Sequence, residues 1–306
     1  MREPPLIRLL PDGRRLHLHD GPIDLIVEAF GKHDKILAAY AAAARRFVSV
    51  LDELCGELAL LRSAARRGPS PLHGTIARVM SDAVAPFCAD TFITPMAAVA
   101  GAVAETILET MLAAAPLRRA YVNNGGDIAL HLERGESFTV GVADYSEHLL
   151  AEDVGLGGSA IFGTVMLDAS SPVRGIATSG WPGRSFSLGI ADAVTILARR
   201  ASLADAAATI VANAVDLPGN HKITRAPARA IAPDSDLGDR LVTRDVGRLD
   251  ESEIDDALSR GVATAGALIA RGLIEGAALR LKHVTRVVGS PFVGNLLGST
   301  KEDQIR

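Results

Sequence analysis

The stretch Tyr121-Val122-Asn123-Asn124-Gly125-Gly126-Asp127-Ile128-Ala129-Leu130 places a short polar core between two apolar, strand-like pieces. Asn-Gly or Gly-Gly between apolar runs is the strongest short-range signal for a β-hairpin. The same glycines let backbone N–H groups approach a ligand closely, because no Cβ stands in the way. The stretch therefore predicts a hairpin turn, and the Asp127 carboxylate leaves open that the turn also forms the wall of a binding site.

Composition restricts the class of protein. The chain has 306 residues, of which 48% are hydrophobic and 22% charged, enough to bury a sizeable core. The formal net charge of -4 and an aromatic content of 4% argue against a nucleic-acid partner. Cys55 and Cys88 form neither a CxxC motif nor a disulfide framework, which fits a reducing compartment.

The sequence predicts a cytoplasmic protein with no membrane partner. Residues 1–6 show neither a long apolar core nor a small-residue cleavage site, so no signal peptide is expected. The alanine-rich runs at 37–44 and 97–104 read as too short and too interrupted by charge to span a bilayer.

Hydrophobic periodicity predicts an order of strands, helices, strands, helix, loop and helix. The ranges are strands within 5–30, helices at 32–67, 75–85 and 96–115, strands at 119–131, 137–144, 160–168 and 173–178, and a helix at 202–215. A polar loop is expected at 217–248, a C-terminal helix with a capping box at its start at 250–284, and a loosely held tail at 289–306. Because the strands cluster, the pattern favours an α+β fold, with antiparallel sheets packed with helices, in one domain spanning 1–306.

Two of these predicted elements carry a further possibility. A face of small residues, Ala97, Ala100, Gly101 and Ala104, suits tight helix packing, in the core or in a homodimer. His17 and His19 share one face of a strand, which is compatible with a metal pair or with two solvated side chains. No third ligand is apparent beside them in the sequence.

A second polar stretch follows a predicted strand. Thr178, Ser179 and Gly180 bring two hydroxyl groups and a free backbone to a strand end, and Arg184 lies just beyond. This arrangement could cradle a phosphate group, with Arg184 supplying charge to a pyrophosphate. An ordinary polar turn is the alternative.

A third stretch, residues 202–210, reads as the start of a helix. Asp205 and Thr209 are four residues apart, so both oxygens face the same way, and such a pair suits Mg²⁺ shared with phosphates. The alternative is that Ser202 is the N-cap and Asp205 its capping-box partner. Asp192 and Thr195 echo the pattern on a predicted strand, where Asp192 is either a second acidic group or a strand-entry residue.

Taken in order, these stretches resemble the ApbE-like superfamily, whose best-known members are the FAD:protein FMN transferases. The family's Asn-x-Gly-Gly-Asp is matched by Asn123 to Asp127, its Ala-Thr-Ser-Gly by Ala177 to Gly180, and its Ala-Asp-x-x-x-Thr by Ala204 to Thr209. The resemblance covers roughly 95–215. A cytoplasmic branch that also carries the motifs of Gly183 to Gly189 and Ala191 to Thr195 is the most similar.

The resemblance implies an α+β fold with a pocket for a small-molecule ligand, FAD or FMN. Asp205 and Thr209 would then hold Mg²⁺ against the pyrophosphate. The implied cofactor-binding residues are Asn123, Asn124, Gly125, Gly126, Thr178, Ser179 and Gly180, and the candidate catalytic residues are Asp127, Arg184 and Ser185.

The chain departs from the family where the reaction takes place. The family's His-x-x-Asp-Pro element is replaced by residues 185–189, Ser-Phe-Ser-Leu-Gly, and its Lys-Gly helix entry has no Lys here. Three functions therefore stay open. They are Mg²⁺-dependent transferase or hydrolase chemistry, a flavin or nucleotide binding or maturation protein without turnover, and a different enzyme on the same scaffold.

Overall fold

The structure is a computed structural model that describes residues 3–144 and 160–289. Its strands are β1 (Leu6–Leu9), β2 (Leu16–Asp20), β3 (Ile23–Phe30), β4 (Arg119–Asn124), β5 (Asp127–Leu132), β6 (Ser137–Asp144), β7 (Ala160–Asp168), β8 (Gly175–Ser179), β9 (Ala193–Ala198), β10 (Ile223–Pro227), β11 (Leu241–Val246), β12 (Gly276–Leu281) and β13 (Val284–Gly289). Its α-helices are α1 (His33–Phe47), α2 (Val50–Gly56), α3 (Leu58–Leu61), α4 (Thr75–Val84), α5 (Val99–Ala114), α6 (Ala201–Ala214), α7 (Ala228–Ile231) and α8 (Glu251–Ala270).

Within the described ranges, nine strands form one sheet in the order β1-β2-β3-β4-β5-β8-β9-β12-β13. Every neighbouring pair in that sheet is antiparallel. β6 pairs with β7 and β10 pairs with β11 in two small antiparallel sheets. The predicted α+β class with antiparallel sheets is confirmed.

The two faces of the large sheet are covered differently. Helices α1, α5, α6 and α8 pack side by side, in that order, on one face and enclose the main core. On the other face a smaller cluster, which includes Leu130, Ile176 and Leu197, packs against the β6–β7 pair. Because side chains alternate along a strand, the position of a residue in its strand decides which of these environments it enters.

The turn between β4 and β5 is a two-residue hairpin. Gly125 and Gly126 have φ angles of 63° and 113°, and Asn124 pairs directly with Asp127. Positive φ at both central positions is what a type I′ hairpin needs, and glycine adopts it without a steric penalty. The predicted hairpin is therefore present, and it places Asp127 at the beginning of β5.

The small-residue face predicted for the third helix is used for close packing. A Cβ added to Gly101 of α5 would lie 2.3 Å from the carbonyl oxygen of Ala201, the first residue of α6. Only glycine permits this approach, since both contacting groups are backbone. The helix therefore serves the core of the described structure, and the homodimer stays a prediction.

The same helix is longer than its alanine run suggested. Residues Pro95–Ala114, a 3-10 turn followed by α5, are long and apolar enough to cross a membrane by length and composition. This corrects the expectation drawn from 97–104 alone. Of an 18-residue stretch of that helix, 56% is buried inside the protein, and α5 packs between α1 and α6.

Several predicted elements need correction. The predicted helix at 32–67 is divided into α1, α2 and α3. The predicted loop at 217–248 contains β10, α7 and β11, and the predicted helix at 250–284 is α8 followed by β12 and β13. The capping box at Asp250 and Glu253 is present, but α8 ends before Gly272, which has a φ of 68°. The tail lies outside the described residues beyond its first position.

We expect Gly101→Ala to lower the free energy of unfolding by about 1–3 kcal/mol, because the added methyl group meets backbone that cannot move aside cheaply. Gly266→Ala in α8 is the matched control, since a Cβ there has no atom within 4 Å. It should be neutral or stabilise by up to about 1 kcal/mol through helix propensity. Urea unfolding followed by circular dichroism measures both, and equal effects would contradict the close α5–α6 contact.

Candidate functional site

Two carboxylates from distant parts of the sequence meet at one end of the sheet. Asp127 begins β5, and Asp205 lies on α6, which covers the sheet at that end. Burial raises the pKa of Asp127 well above its ordinary value, and the nearby charge of Asp205 raises it further. The Thr178 N–H and the Arg184 guanidinium act in the opposite direction. The pair is therefore an electrostatically unfavourable cluster of two partly buried acids.

Asp205 is held by the start of the neighbouring helix. Its Oδ2 accepts a hydrogen bond of 2.9 Å from the Gly101 N–H, and the Ala100 N–H also contributes. These are among the N-terminal amides of α5 that have no partner within that helix. Burial raises the pKa of Asp205 to about 7, although both amides oppose the shift. Asp205 thus caps α5 from a different helix.

The alternative in which Asp205 caps its own helix is wrong. The N-cap of α6 is Arg200, and Ser202 lies inside the helix. The Ser202 hydroxyl donates to Glu105 Oε2 at 2.8 Å, so it has a partner on α5. Thr209 lies one turn after Asp205 on α6, at the spacing that places both side chains on one face.

The hairpin turn is fixed by its two asparagines. Asn123 Oδ1 accepts from the Gly126 N–H at 2.8 Å, within the turn itself. Asn124 is buried, and its Nδ2 donates to the Ala100 carbonyl at 3.2 Å. The turn is therefore attached to the same end of α5 that Asp205 caps.

Arg184 lies directly on this turn. A Cβ added to Gly125 would lie 1.7 Å from Arg184 Nη2, so a side chain there would displace the guanidinium from the turn. Arg184 is exposed, and its charge lowers the pKa of Asp127. The structure thus brings together a cationic side chain, the Gly-Gly turn and two carboxylates.

The Thr-Ser-Gly stretch contributes differently from the prediction. The Thr178 N–H donates to Asp127 Oδ1 at 3.2 Å. Its hydroxyl, however, pairs with that of Thr195 at 2.8 Å across β8 and β9. Ala177 faces the main core, and its neighbour Thr178 lies on the opposite face of the sheet, as Ile176 does. The Thr178 hydroxyl therefore points away from the carboxylate pair. Ser179 takes the other face.

Gly180 is needed for packing. A Cβ there would lie 2.3 Å from the carbonyl oxygen of Asp192, so the glycine lets two chain segments approach. The side chain of Asp192 accepts from Trp181 Nε1 at 3.2 Å and from the Lys282 N–H. These contacts support the strand-entry interpretation of Asp192.

The segment that replaces the family's His element divides between surface and core. Ser185 is exposed. Ser187 is buried, donates to Asn213 Oδ1 at 3.2 Å and accepts from the Gly189 N–H at 3.2 Å. The Ser187 hydroxyl therefore holds the loop against α6, and Ser185 is the hydroxyl of the two that faces solvent.

A cavity of about 440 Å³ lies further along α6. Its lining is partly apolar and comes mainly from the 87–92 segment, α6 and α8, with Leu188 and Arg271 beside them; it includes Phe87, Phe92, Ile210, Asn213 and Leu268. Ile210 is five residues after Asp205, about 7.5 Å along the helix. No local sequence pattern indicates this cavity, because its residues are scattered over the chain.

The fold, the hairpin motif and the capped carboxylate define an ApbE-like protein. The family model described as AbpE bacteria matches residues 7–290. The chain belongs to that family, and the resemblance drawn from the three motifs is confirmed.

Curated relatives match a shorter region. A UPF0280 protein of Methanopyrus kandleri is 39% identical over 138 residues, 45% of this chain and 48% of that protein. A UPF0280 protein of Methanothermobacter thermautotrophicus is 40% identical over 127 residues, 40% of this chain and 43% of that protein. The chain thus matches slightly less than half the length of these relatives.

Two solved structures are similar to the chain at low sequence identity. A variant of the flavin transferase ApbE from Vibrio cholerae has a TM-score of 0.49 and 12% identity, covering 92% of this chain and 100% of that one. The apo form of the flavinyl transferase ApbE from Pseudomonas stutzeri has a TM-score of 0.43 and 11% identity, covering 96% and 99%.

The raised pKa of Asp205 makes stability depend on pH. The Asp205 carboxyl has a pKa near 3.8 in the unfolded chain and about 7 in the folded protein. Between these pH values the folded state therefore holds more protons than the unfolded state. The free energy of unfolding should therefore fall as pH rises through this window. In metal-free buffer, Asp205→Asn keeps an acceptor for Gly101 but removes the charge, so it should be more stable than wild type at pH 8, on the order of a few kcal/mol.

The control is Asp256→Asn, an exposed carboxylate on α8. Thermal unfolding from pH 4 to pH 8 should give parallel profiles for this variant and wild type, and a flatter profile for Asp205→Asn. Parallel profiles for all three proteins would show that Asp205 is not buried against the start of α5 as described.

Proposed function

We propose that the Asp127–Asp205 end of the sheet binds a divalent cation together with a phosphorylated small molecule of the flavin-nucleotide type, and that it promotes cleavage of the pyrophosphate. The observation that carries the proposal is the carboxylate pair under an Arg-covered Gly-Gly turn. The membership of the ApbE-like superfamily supports the same class of ligand.

The carboxylate pair fits Mg²⁺. Burial raises the pKa of both acids, and the charge of Asp205 raises that of Asp127 further, so a divalent cation at the pair would offset this cost. Asp127 accepts from the Thr178 N–H and Asp205 from the Gly101 and Ala100 N–H groups, and because a carboxylate offers about four acceptor sites, each keeps capacity for a cation. Mg²⁺ prefers a small number of protein oxygen ligands, with phosphate and water oxygens completing its coordination shell. Thr209 is the third candidate ligand.

The turn and Arg184 fit the phosphates. Gly125 exposes its backbone because it carries no Cβ, and the exposed guanidinium of Arg184 lies on that backbone. A guanidinium forms two parallel hydrogen bonds with a phosphate and stabilises charge that develops on its oxygens.

The roles of the residues follow from these positions. Mg²⁺ at the carboxylates would neutralise pyrophosphate charge and polarise the phosphorus–oxygen bond. Asp127 and Asp205 hold the cation site, Thr178 orients Asp127 through its N–H, and Arg184 stabilises the leaving phosphate. When water is the acceptor, FAD and water give FMN and AMP. Ser185, the exposed hydroxyl of its segment, is the candidate acceptor side chain for a transfer.

Binding without turnover is the second candidate. It is favoured by Ser187, whose hydroxyl is committed to Asn213, and by the absence of a His in residues 181–189. A pocket of this kind would deliver or hold a flavin without cleaving it. The two candidates share the ligand site and differ only in the products.

The test incubates the purified protein with FAD and Mg²⁺ and measures FMN and AMP by chromatography, with binding measured by calorimetry. We expect Mg²⁺-dependent products, reduced about 100-fold in Asp205→Asn and in Arg184→Ala. Asp256→Asn and Arg244→Ala, both exposed and remote from the turn in sequence, should match wild type.

The outcomes separate the candidates. Binding of FAD that requires Mg²⁺ and Asp205, without products, supports the non-catalytic function. Both candidates are overturned if calorimetry with FAD, FMN or Mg²⁺ gives no more binding heat for wild type than for Asp205→Asn. A thermal shift with Mg²⁺ at pH 8 that is lost in Asp205→Asn tests the cation site without reference to activity.

A further inference from the structure

A second cluster of ligand-type side chains lies on the other face of the sheet. His17 and His19 alternate along β2 with Leu16 and Leu18, which are buried in the main core under the helices. The two imidazoles therefore project from the opposite face. His17 is largely covered, with 14% of its side chain exposed, whereas His19 is exposed.

The register of the sheet supplies a third ligand that the sequence did not indicate. His19 of β2 pairs directly with Asp24 of β3, so both side chains lie on the same face. Asp24 Oδ1 is 2.7 Å from His17 Nε2. One ligand atom from each of the three residues lies within 4.8 Å of the other two. The expectation that the histidine pair has no third partner is thus corrected.

We propose that His17, His19 and Asp24 form a binding site for a divalent transition metal, with Zn²⁺ as the best-fitting ion. Two imidazole nitrogens and one carboxylate oxygen form a donor set that suits Zn²⁺ and similar transition metals better than it suits Mg²⁺ or Ca²⁺. Three protein ligands leave the fourth tetrahedral position open. Because the site lies on an exposed face of the sheet, water would occupy that position.

The distances are close to what Zn²⁺ requires. Bonds of about 2.0–2.1 Å in a tetrahedron place ligand atoms about 3.3 Å apart. His17 Nε2 and Asp24 Oδ1 are 2.7 Å apart, and one ligand atom from each of the three residues lies within 4.8 Å of the others, so small side-chain rotations suffice to reach that value. His19 is exposed and 49% of the Asp24 side chain is exposed, so both can rotate onto the ion without disturbing the core.

Arg8 of β1 sets the proton on His17. Its Nε donates to His17 Nδ1 at 3.4 Å, which leaves the ring proton on Nε2, pointing at Asp24. Metal binding at His17 Nε2 requires the ring proton to be on Nδ1, the atom that accepts the Arg8 hydrogen bond in the metal-free structure. The exposed Arg8 side chain must then swing aside. Arg8 therefore opposes metal binding, both through this hydrogen bond and through its charge.

This site is independent of the carboxylate pair. Asp127 shares the face of Ala129, in the main core beneath the helices, whereas His17 and His19 project from the other side of the sheet. The donor sets also differ, since the carboxylate pair offers oxygen alone. Failure of one proposal leaves the other unaffected.

The experiment titrates untagged, chelator-treated protein with Zn²⁺ by calorimetry, with Mg²⁺ as the comparison ion. We expect one equivalent of Zn²⁺ to bind, weakened more than about tenfold in His19→Ala and in Asp24→Asn. Arg8→Ala should bind roughly two- to fivefold more tightly, the size of an exposed charge interaction. Co²⁺ substitution should give the visible absorption of a low-coordinate site in wild type, and this absorption should be lost in His19→Ala and in Asp24→Asn.

The matched control is His283→Ala, which removes an exposed histidine that also faces a carboxylate, Glu251 at 3.3 Å. It should bind Zn²⁺ as wild type does. Circular dichroism checks that each variant is folded, and exposed His19 is the ligand whose loss disturbs packing least. Unsaturable Zn²⁺ binding, or equal affinity in His19→Ala, Asp24→Asn and wild type, would show an ordinary His17–Asp24 ion pair beside a solvated His19 and overturn the proposal.

Discussion

The starts of α5 and α6 meet backbone to backbone at Gly101, and the candidate site is organised by that contact. Because Gly101 has no Cβ, the Ala201 carbonyl can approach it closely. One turn later on α6, Asp205 accepts a hydrogen bond from the N-terminal Gly101 N–H of α5. The same end of α5 holds the Gly-Gly turn through Asn124. One close helix–helix approach thus positions a carboxylate, a turn and the Asp127 that follows it.

That arrangement has an electrostatic cost that also gives it a use. A carboxylate is a good acceptor for helix N-terminal amides, but a second buried carboxylate beside it is unfavourable. The pKa of Asp205 rises to about 7 and that of Asp127 rises as well, so the pair retains protons that ordinary carboxylates lose. A cation would remove the conflict, which is why we propose that the pair is a binding site and not simply a cap.

Local patterns were sufficient where a short segment carries its own geometry. The Gly125–Gly126 turn, the Asp250–Glu253 capping box and the helix at 75–84 follow from neighbouring residues. The helix predicted through 284 was wrong because β12 is a buried strand that pairs with β9 on one side and β13 on the other. Its run Ala277-Ala278-Leu279 favours a helix by propensity, and tertiary pairing overrides propensity.

From the sequence alone came the α+β class, the ApbE-like resemblance and the candidate residues, because turns, caps and motif spacing act within a few residues of the chain. The tertiary structure decided which groups face one another. It turned the Thr178 hydroxyl towards Thr195, made Asp205 a cap for another helix and brought Asp24 to the two histidines. Strand register and helix packing set these contacts, and both depend on pairings between segments far apart in the chain.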